Sequence, residues 1–153
     1  MFEKGDRAPE FSLPDQDGRE VSLTSLLNQG PLLLYFYPAD FTPGCTRQAC
    51  MIAELQGDIL RSRLMVAGIS PQAPSVHQRF RAQYKLPYTL LSDETKEVIR
   101  MYGADGPLGF GVRRVSYLLD RARTVRDVVR ADFRIGRHTR FVRYSIAVAE
   151  SLR

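Results

Sequence analysis

The chain has 153 residues, 44% of them hydrophobic and 25% charged, and these values are typical of a soluble globular protein. This length suits one hydrophobic core, so we expect a single domain over residues 1–153 and exclude a disordered or fibrous chain. The net charge of +5 is unevenly placed. Residues 113–153 hold 11 Lys and Arg against 4 Asp and Glu, whereas residues 1–112 hold 11 against 13.

Membrane insertion and secretion are not predicted. The longest apolar run, Leu32–Tyr37, is far too short to cross a bilayer. The first residues, Met-Phe-Glu-Lys-Gly-Asp, lack the basic start and the apolar stretch of a secretory signal. We therefore expect a cytoplasmic protein.

The first third of the chain predicts a hairpin, a strand and a helix. Apolar residues alternate on either side of the turn Asp15–Gly18, which is typical of a β-hairpin. Residues 31–37 form a continuous apolar run, as expected for a central strand that is covered on both faces. Residues 46–61 place apolar side chains at helical spacing, and Pro43 lies just ahead, where a helix start tolerates proline.

The rest of the chain continues the alternation of strands and helices. We predict strands at 64–70, 88–91, 115–119 and 124–129, helices at 75–84, 95–101 and 139–152, and a loop at 106–111. The resulting order, β-β-β-α-β-α-β-α-β-β-α, indicates a three-layer α/β sandwich. This order resembles a thioredoxin-like fold with an N-terminal β-hairpin extension, although the pattern alone does not fix the order of the strands.

The chain has two cysteines, Cys45 and Cys50, and two histidines, His77 and His138. Because the cytosol keeps ordinary thiols reduced, a structural disulfide framework is not expected. The histidines are distant in sequence and the cysteine spacing is C-x4-C, so a zinc site of the usual spacing is not predicted either. Catalytic thiols and inert buried thiols both remain open on this evidence.

The segment 37–50 carries the strongest chemical pattern. It lies where the predicted central strand ends and a helix begins, which is the edge of an α/β sheet where ligands bind. A cysteine in the first turn of that helix lies near unpaired backbone N–H groups and the positive end of the helix dipole. Both favour the thiolate, which is the nucleophilic form.

This segment resembles the active-site signature of the peroxiredoxins, Pro-x-x-x-(Thr/Ser)-x-x-Cys, through Pro38, Thr42 and Cys45. Further landmarks of that family lie in the same order at 5–13, 34–38, 68–70, 91–93 and 114–120. Residues 42–50, Thr-Pro-Gly-Cys-Thr-Arg-Gln-Ala-Cys, are similar to the bacterioferritin comigratory protein and peroxiredoxin Q subgroup. The resemblance implies a thiol peroxidase that reduces hydrogen peroxide and organic hydroperoxides.

The resemblance also implies unequal roles for the two cysteines. Cys45 would attack the peroxide and become a sulfenic acid, and Cys50 would then form a disulfide with it. Residues five apart on a helix have Cα atoms roughly 8.6 Å apart, whereas a disulfide needs less than about 7 Å. We therefore expect the first turns of the helix to unwind after oxidation. The exposed disulfide could then be reduced by thioredoxin or a similar dithiol.

Other residues would complete the site by the same resemblance. Pro38 would cover the sulfur, Thr42 would contact thiolate and substrate, and Gly44 would offer its backbone N–H. Arg114 would bind a peroxide oxygen and stabilise the thiolate, although a one-residue slip would exchange it with Arg113. The rim of the substrate pocket is expected to comprise Asp40, Phe41 and Arg47.

Two alternatives belong to other functional classes. A thioredoxin-like protein disulfide oxidoreductase would use the same fold, but it would ordinarily carry C-x-x-C. The basic region 113–153 could bind nucleic acid, yet its arginines alternate with apolar residues as on a solvated face, so no nucleic-acid partner is expected. We expect no metal and no cofactor, and a monomer or weak dimer.

Overall fold

The computed structural model describes residues 2–152, so residues 1 and 153 of the predicted domain lie outside the described residues. The strands are β1 (Ser12–Pro14), β2 (Glu20–Ser22), β3 (Leu32–Phe36), β4 (Met65–Ser70), β5 (Thr89–Ser92), β6 (Val115–Leu119) and β7 (Val125–Arg130). The helices are α1 (Leu23–Leu27), α2 (Pro43–Glu54), α3 (Gln56–Ser62), α4 (Pro74–Tyr84), α5 (Glu97–Met101) and α6 (Ile135–Ser151).

The central sheet has five strands in the order β5-β4-β3-β6-β7. The strand β3 is parallel to β4 and antiparallel to β6, and every one of its residues is buried. This explains its continuous apolar sequence, because a strand that is covered on both faces has no solvent side for polar residues. The α/β class that was expected from the element order is confirmed.

Two hydrophobic cores lie on opposite faces of this sheet. One face packs against the N-terminal hairpin, α1 and α5, with Leu34 and Phe36 of β3 in its core. The other face packs against α2, α3, α4 and α6, with Leu33 and Tyr35 of β3 in its core. The alternation of side chains along β3 thus divides the molecule into the three expected layers.

Some boundaries differ from the sequence prediction. The predicted helix 46–61 is two helices, because Leu55 leaves helical geometry with φ −91° and ψ 8°, and the first of them begins earlier, at Pro43. The closing helix begins at Ile135 instead of 139. The short α1 was not predicted. Its start is set by Ser22, whose side chain accepts a hydrogen bond from the Ser25 backbone N–H in a capping box.

The β6–β7 turn lacks the glycine that is usual in such hairpins. Arg123 takes the left-handed conformation there, with φ 68°. Arg123 forms two hydrogen bonds with Ala8. The Arg123 carbonyl accepts from the Ala8 amide, and the Arg123 Nε donates to the Ala8 carbonyl. These bonds compensate for the conformational strain and tie the turn to the N-terminal segment.

Candidate active site

The two cysteines lie on one helix at the end of the central strand. After β3 the chain runs through residues 37–42 and enters α2 at Pro43, so Cys45 is the third helical residue. Cys45 is only 2% exposed, whereas Cys50 is half-buried, and both are free thiols. The first turn of α2, which contains Cys45, has backbone N–H groups without partners inside the helix.

Arg114 brings a positive charge to this sulfur. Its Nη2 donates to Cys45 Sγ at 3.5 Å, and its Nη1 donates to Gln48 Oε1 at 2.6 Å. The guanidinium is well protected, since Arg114 is only 7% exposed. Screening by solvent is weak at such a site, so the cation is well placed to stabilise negative charge on the sulfur.

The position of Arg114 follows from sheet register. Val115 of β6 pairs with Phe36 of β3. Arg114, the residue before β6, therefore lies beside the end of β3, where the active-site loop (residues 37–42) begins. Asp132 then fixes Arg114, because its Oδ1 accepts the Arg114 backbone N–H at 2.9 Å and its carbonyl accepts Nε at 3.4 Å. Arg113, the alternative that the sequence left open, is exposed.

Gly44 leaves the space that the guanidinium needs. A Cβ added at Gly44 would lie 3.2 Å from Arg114 Nη2, which is closer than ordinary van der Waals contact. The glycine of the Thr-Pro-Gly-Cys segment therefore has a packing reason in addition to the backbone N–H that it is expected to offer.

A cavity of about 550 Å³ opens beside Arg114. Pro38, Gly44 and Arg47, which the sequence analysis placed around the substrate pocket, line this cavity. The remaining lining residues come from two segments of the chain. The first contributes Gly106, Pro107 and residues 110–114, and the second contributes Asp132, Phe133 and Ile135. The wall opposite the cysteine helix is therefore contributed by the 106–114 loop and the start of α6, and it includes exposed aromatic rings at Phe110 and Phe133.

Thr42 is exposed at the N-cap of α2, and its hydroxyl donates to the Ala39 carbonyl at 2.8 Å. The same threonine caps the helix through its backbone, since its carbonyl accepts the first helical bond from Thr46 at 2.9 Å. A bond from the Thr42 hydroxyl to the Cys45 sulfur is not present among the hydrogen bonds of the described residues. Its expected contact with thiolate and substrate therefore stays a prediction.

Two residues expected at the pocket rim lie elsewhere. Phe41 is outside the cavity, with φ 66°, and its ring packs edge-on against Phe80 at 5.1 Å. Asp40 is only 5% exposed, so its placement at the rim was wrong. Its carboxylate accepts from Tyr37 at 2.6 Å and bonds to His77 Nδ1 at 2.5 Å, and these buried partners hold the active-site loop.

His138, the other histidine, lies in the first turn of α6 and is buried. Its Nε2 donates to the Ala131 carbonyl at 3.0 Å, and its Nδ1 accepts from the Ser116 hydroxyl at 2.9 Å. Burial lowers the pKa of His138 to about 4, and the nearby Arg114 also lowers it. His138 is therefore neutral at physiological pH and braces the segment that carries Asp132.

The second thiol has a different environment. Burial raises the pKa of Cys50, and the carboxylate of Glu54, one turn further along α2, raises it further. The Cys50 thiol is therefore a poor nucleophile while the helix is intact.

Sequence reasoning missed Gln48 as a functional candidate. Gln48 lies three residues after Cys45, so both side chains share one helix face, and this spacing could have identified it. Its amide oxygen holds Arg114, whereas its buried Nε2 has no partner. The contacts of His77 with Asp40 and of His138 with Ser116 had no such local signal, because these partners lie 37 and 22 residues away.

No group of three or more His, Cys, Asp or Glu side chains within residues 2–152 is arranged to hold a metal ion. Over the same residues, no helix has the length and apolar character needed to cross a membrane.

The fold and the site together define a class of protein. A buried cysteine begins a helix at the end of a central strand, and an arginine contacts its sulfur, which is the arrangement of a thiol-based redox protein with a thioredoxin-like fold.

Comparison with known proteins identifies the family. Residues 4–128 match the model of the AhpC/TSA family. Peroxiredoxin Bcp of Escherichia coli is 40% identical over 140 residues, which cover 88% of each chain. The crystal structure of peroxidoxin BcpB from Mycobacterium tuberculosis superimposes with a TM-score of 0.90 and 33% identity over 97% of this chain and 98% of that one. The chain therefore belongs to the AhpC/TSA family, as a peroxiredoxin of the Bcp and peroxiredoxin Q group.

A plant relative is longer than this chain. The chloroplastic peroxiredoxin Q of Gentiana triflora is 43% identical over 137 residues, which cover 88% of this chain but only 62% of the relative.

Proposed function

We propose that this chain is a thiol peroxidase that reduces hydrogen peroxide and organic hydroperoxides, with Cys45 as the nucleophile. The observation that carries the proposal is the contact of 3.5 Å between Arg114 Nη2 and the buried Cys45 sulfur at the start of α2. A fixed cation with several donors can stabilise the thiolate and bind a peroxide oxygen at the same time.

In the first step the Cys45 thiolate attacks one oxygen of the hydroperoxide ROOH. The O–O bond breaks, the second oxygen takes up a proton and leaves as ROH, and Cys45 becomes a sulfenic acid. The Arg114 guanidinium and the backbone N–H groups of Gly44 and Cys45 surround the place where negative charge develops on the leaving oxygen. The Thr42 hydroxyl would join them by exchanging its bond to the Ala39 carbonyl for one to the substrate.

The cavity supports organic hydroperoxides as substrates. Its volume of about 550 Å³ exceeds what hydrogen peroxide fills, and Pro38, Phe110 and Phe133 give it apolar surface. Pro38 is proposed to exclude water from the sulfur, and Phe41 to steady the loop before the helix through its ring contacts.

In the second step the Cys50 thiol attacks the Cys45 sulfenic acid, which forms a disulfide and releases water. Both cysteines lie on the unbroken helix α2, where the ideal Cα separation is roughly 8.6 Å. Because a disulfide needs less than about 7 Å, the first turns of α2 must unwind. Unwinding also removes Cys50 from the burial that raises its pKa, so the resolving thiol gains reactivity in the same movement.

An external dithiol such as thioredoxin would then reduce the exposed disulfide by exchange. A reducing cytosol suits this cycle, and we propose it as the compartment. We also propose a monomer or weak dimer, since both cysteines and the cavity belong to one chain. The cycle uses two thiols and requires neither metal nor cofactor.

The proposed roles are tested by stopped-flow mixing with peroxide for the wild type, Cys45→Ser and Cys50→Ser. We expect no peroxide reduction by Cys45→Ser, and a Cys50→Ser protein that forms the sulfenic acid without an intramolecular disulfide. Peroxide turnover by Cys45→Ser at the wild-type rate would refute the assignment.

A second assay separates the proposal from protein disulfide reduction. We expect thioredoxin-dependent consumption of peroxide to exceed reduction of insulin disulfides, because the C-x4-C spacing differs from that of dithiol oxidoreductases. The reverse order of rates would favour the oxidoreductase.

A further inference from the structure

A chain of two tyrosine hydroxyls links the central sheet to the cysteine helix. The Tyr88 hydroxyl bonds to the Ala49 carbonyl at 3.1 Å, and the Tyr35 hydroxyl lies 2.9 Å from the Tyr88 hydroxyl. Ala49 is the residue immediately before Cys50 on α2. The link thus ends in the part of the helix that must change if Cys50 is to reach Cys45.

Proton counting orients this link. A tyrosine hydroxyl has one proton, and a carbonyl can only accept, so Tyr88 donates to Ala49. Tyr35 must therefore donate to Tyr88. Burial raises the pKa of both tyrosines, which keeps both hydroxyls protonated as donors.

Rigid surroundings hold both rings. Tyr35 is 1% exposed and Tyr88 is 6% exposed. The Tyr35 ring lies over Gly68 of the neighbouring strand, where a Cβ would come within 2.9 Å of the ring. The backbone of Tyr88 is fixed in turn, because its carbonyl accepts from Arg81 Nε at 2.9 Å. Neither hydroxyl can easily follow α2 if the helix unwinds.

We infer that Tyr88 is a positioning residue that holds α2 in its helical form through the Ala49 carbonyl and thereby sets how fast Cys50 reaches the Cys45 sulfenic acid. The inference depends on the proposed peroxidase cycle for its second step. In a helix the Ala49 carbonyl also accepts the amide of residue 53, so the Tyr88 bond adds to the helical bond that unwinding breaks.

The holding contact has a chemical consequence. While α2 stays helical, the Cys45 sulfenic acid waits, and a second hydroperoxide can convert it to sulfinic acid with release of ROH. Disulfide formation with release of water competes with that reaction. A weaker hold on the helix therefore speeds the disulfide and lowers the sulfinic fraction.

The test compares Tyr88→Phe with Tyr102→Phe. Tyr102 is a matched control because its buried hydroxyl also donates to a carbonyl, that of Pro9 at 2.7 Å, but it lies in the core on the other face of the sheet. Loss of one hydrogen bond should speed disulfide formation in Tyr88→Phe by about 2- to 12-fold. The first oxidation step should be unchanged. Quenched samples analysed by mass spectrometry follow the thiol, sulfenic, disulfide and sulfinic forms.

A measurement without peroxide separates this inference from the proposed function. Amide hydrogen exchange in the reduced protein should be about 2- to 12-fold faster over residues 49–54 in Tyr88→Phe than in Tyr102→Phe. Tyr35→Phe should give a smaller increase, since it leaves the bond to Ala49 in place. Equal exchange in Tyr88→Phe and Tyr102→Phe would overturn the inference, whether or not the protein reduces peroxide. Faster exchange with an unchanged or slower disulfide step would also overturn it, whereas unreactive wild-type Cys45 would refute the peroxidase itself.

Discussion

Replacement of Arg114 by methionine removes the guanidinium from the Cys45 sulfur while keeping a long, flexible side chain. The lost contact is a charged hydrogen bond at 3.5 Å in a site where Arg114 is 7% exposed. Such a bond contributes about 1.5–3 kcal/mol. If this energy acts fully in the transition state, the second-order rate constant for peroxide should fall about 10- to 160-fold.

The same substitution should also reduce stability. Gln48 Oε1 and the Asp132 carbonyl lose their bonds to the guanidinium, and a buried acceptor left unpaired costs about 1–3 kcal/mol. Urea unfolding of the variant measures this loss separately. The kinetic comparison must use a temperature and denaturant-free buffer in which Arg114→Met is folded, so that the lower rate reports on the site alone.

The assay is stopped-flow or competition kinetics of the first oxidation step, with Arg113→Met as the matched control. Arg113 has the same charge and also lines the cavity, but its side chain is exposed and has no bond to the sulfur. Its loss should therefore change the rate less than threefold, because an exposed charge contributes only about 0.2–0.6 kcal/mol. Arg114→Lys should recover only part of the lost rate, because the single nitrogen of an ammonium cannot take the places of the three guanidinium nitrogens. A rate for Arg114→Met within threefold of the wild type, in a folded protein, would refute the role given to the guanidinium.

Two further substitutions test the surroundings of the site. Gly44→Ala should displace the Arg114 guanidinium, since the new Cβ would lie 3.2 Å from Nη2. We expect peroxide reduction to be about 3- to 30-fold slower, which corresponds to an activation free energy higher by about 0.7–2 kcal/mol. An unchanged rate with Arg114 in its original place would contradict the packing argument. His138 has a folded pKa of about 4 against an ordinary value of 6.5, so its contribution to stability is complete above pH 6.5 and is lost as pH falls towards 4. The full loss is about 3 kcal/mol at 1.36 kcal/mol per pH unit. Urea unfolding of His138→Gln between pH 7 and pH 4 should show a correspondingly weaker decline in the free energy of unfolding than the wild type shows. If the free energies of the two proteins fell in parallel with pH, the titration of His138 would be excluded as the cause.

Local sequence patterns predicted the elements that place the cysteines. The apolar run at 31–37 and the helical spacing after Pro43 located the strand-to-helix junction. Both patterns can be recognised from residues that are close in sequence. The break at Leu55 was not predictable in this way. The apolar spacing continues across Leu55, so helical periodicity alone does not separate the two helices.

The environment of each side chain around Cys45 depended on distant partners. Asp40 is polar and lies within the motif between Pro38 and Thr42, which favoured a place at the pocket rim, yet it is buried and its partner His77 lies 37 residues away. Tyr88 gave no local signal either, since its contact with Ala49 joins residues 39 apart.

The sequence by itself determined the proposed nucleophile, because Cys45 is marked by local features: the spacing to Pro38 and Thr42, and its place in the first turn of a helix. Which cation serves it was decided only by tertiary structure. The choice between Arg113 and Arg114 depends on strand register, and the pairing of Val115 with Phe36 brings together segments about 80 residues apart. One residue of slip would reverse the choice, and no local pattern contains that long-range pairing.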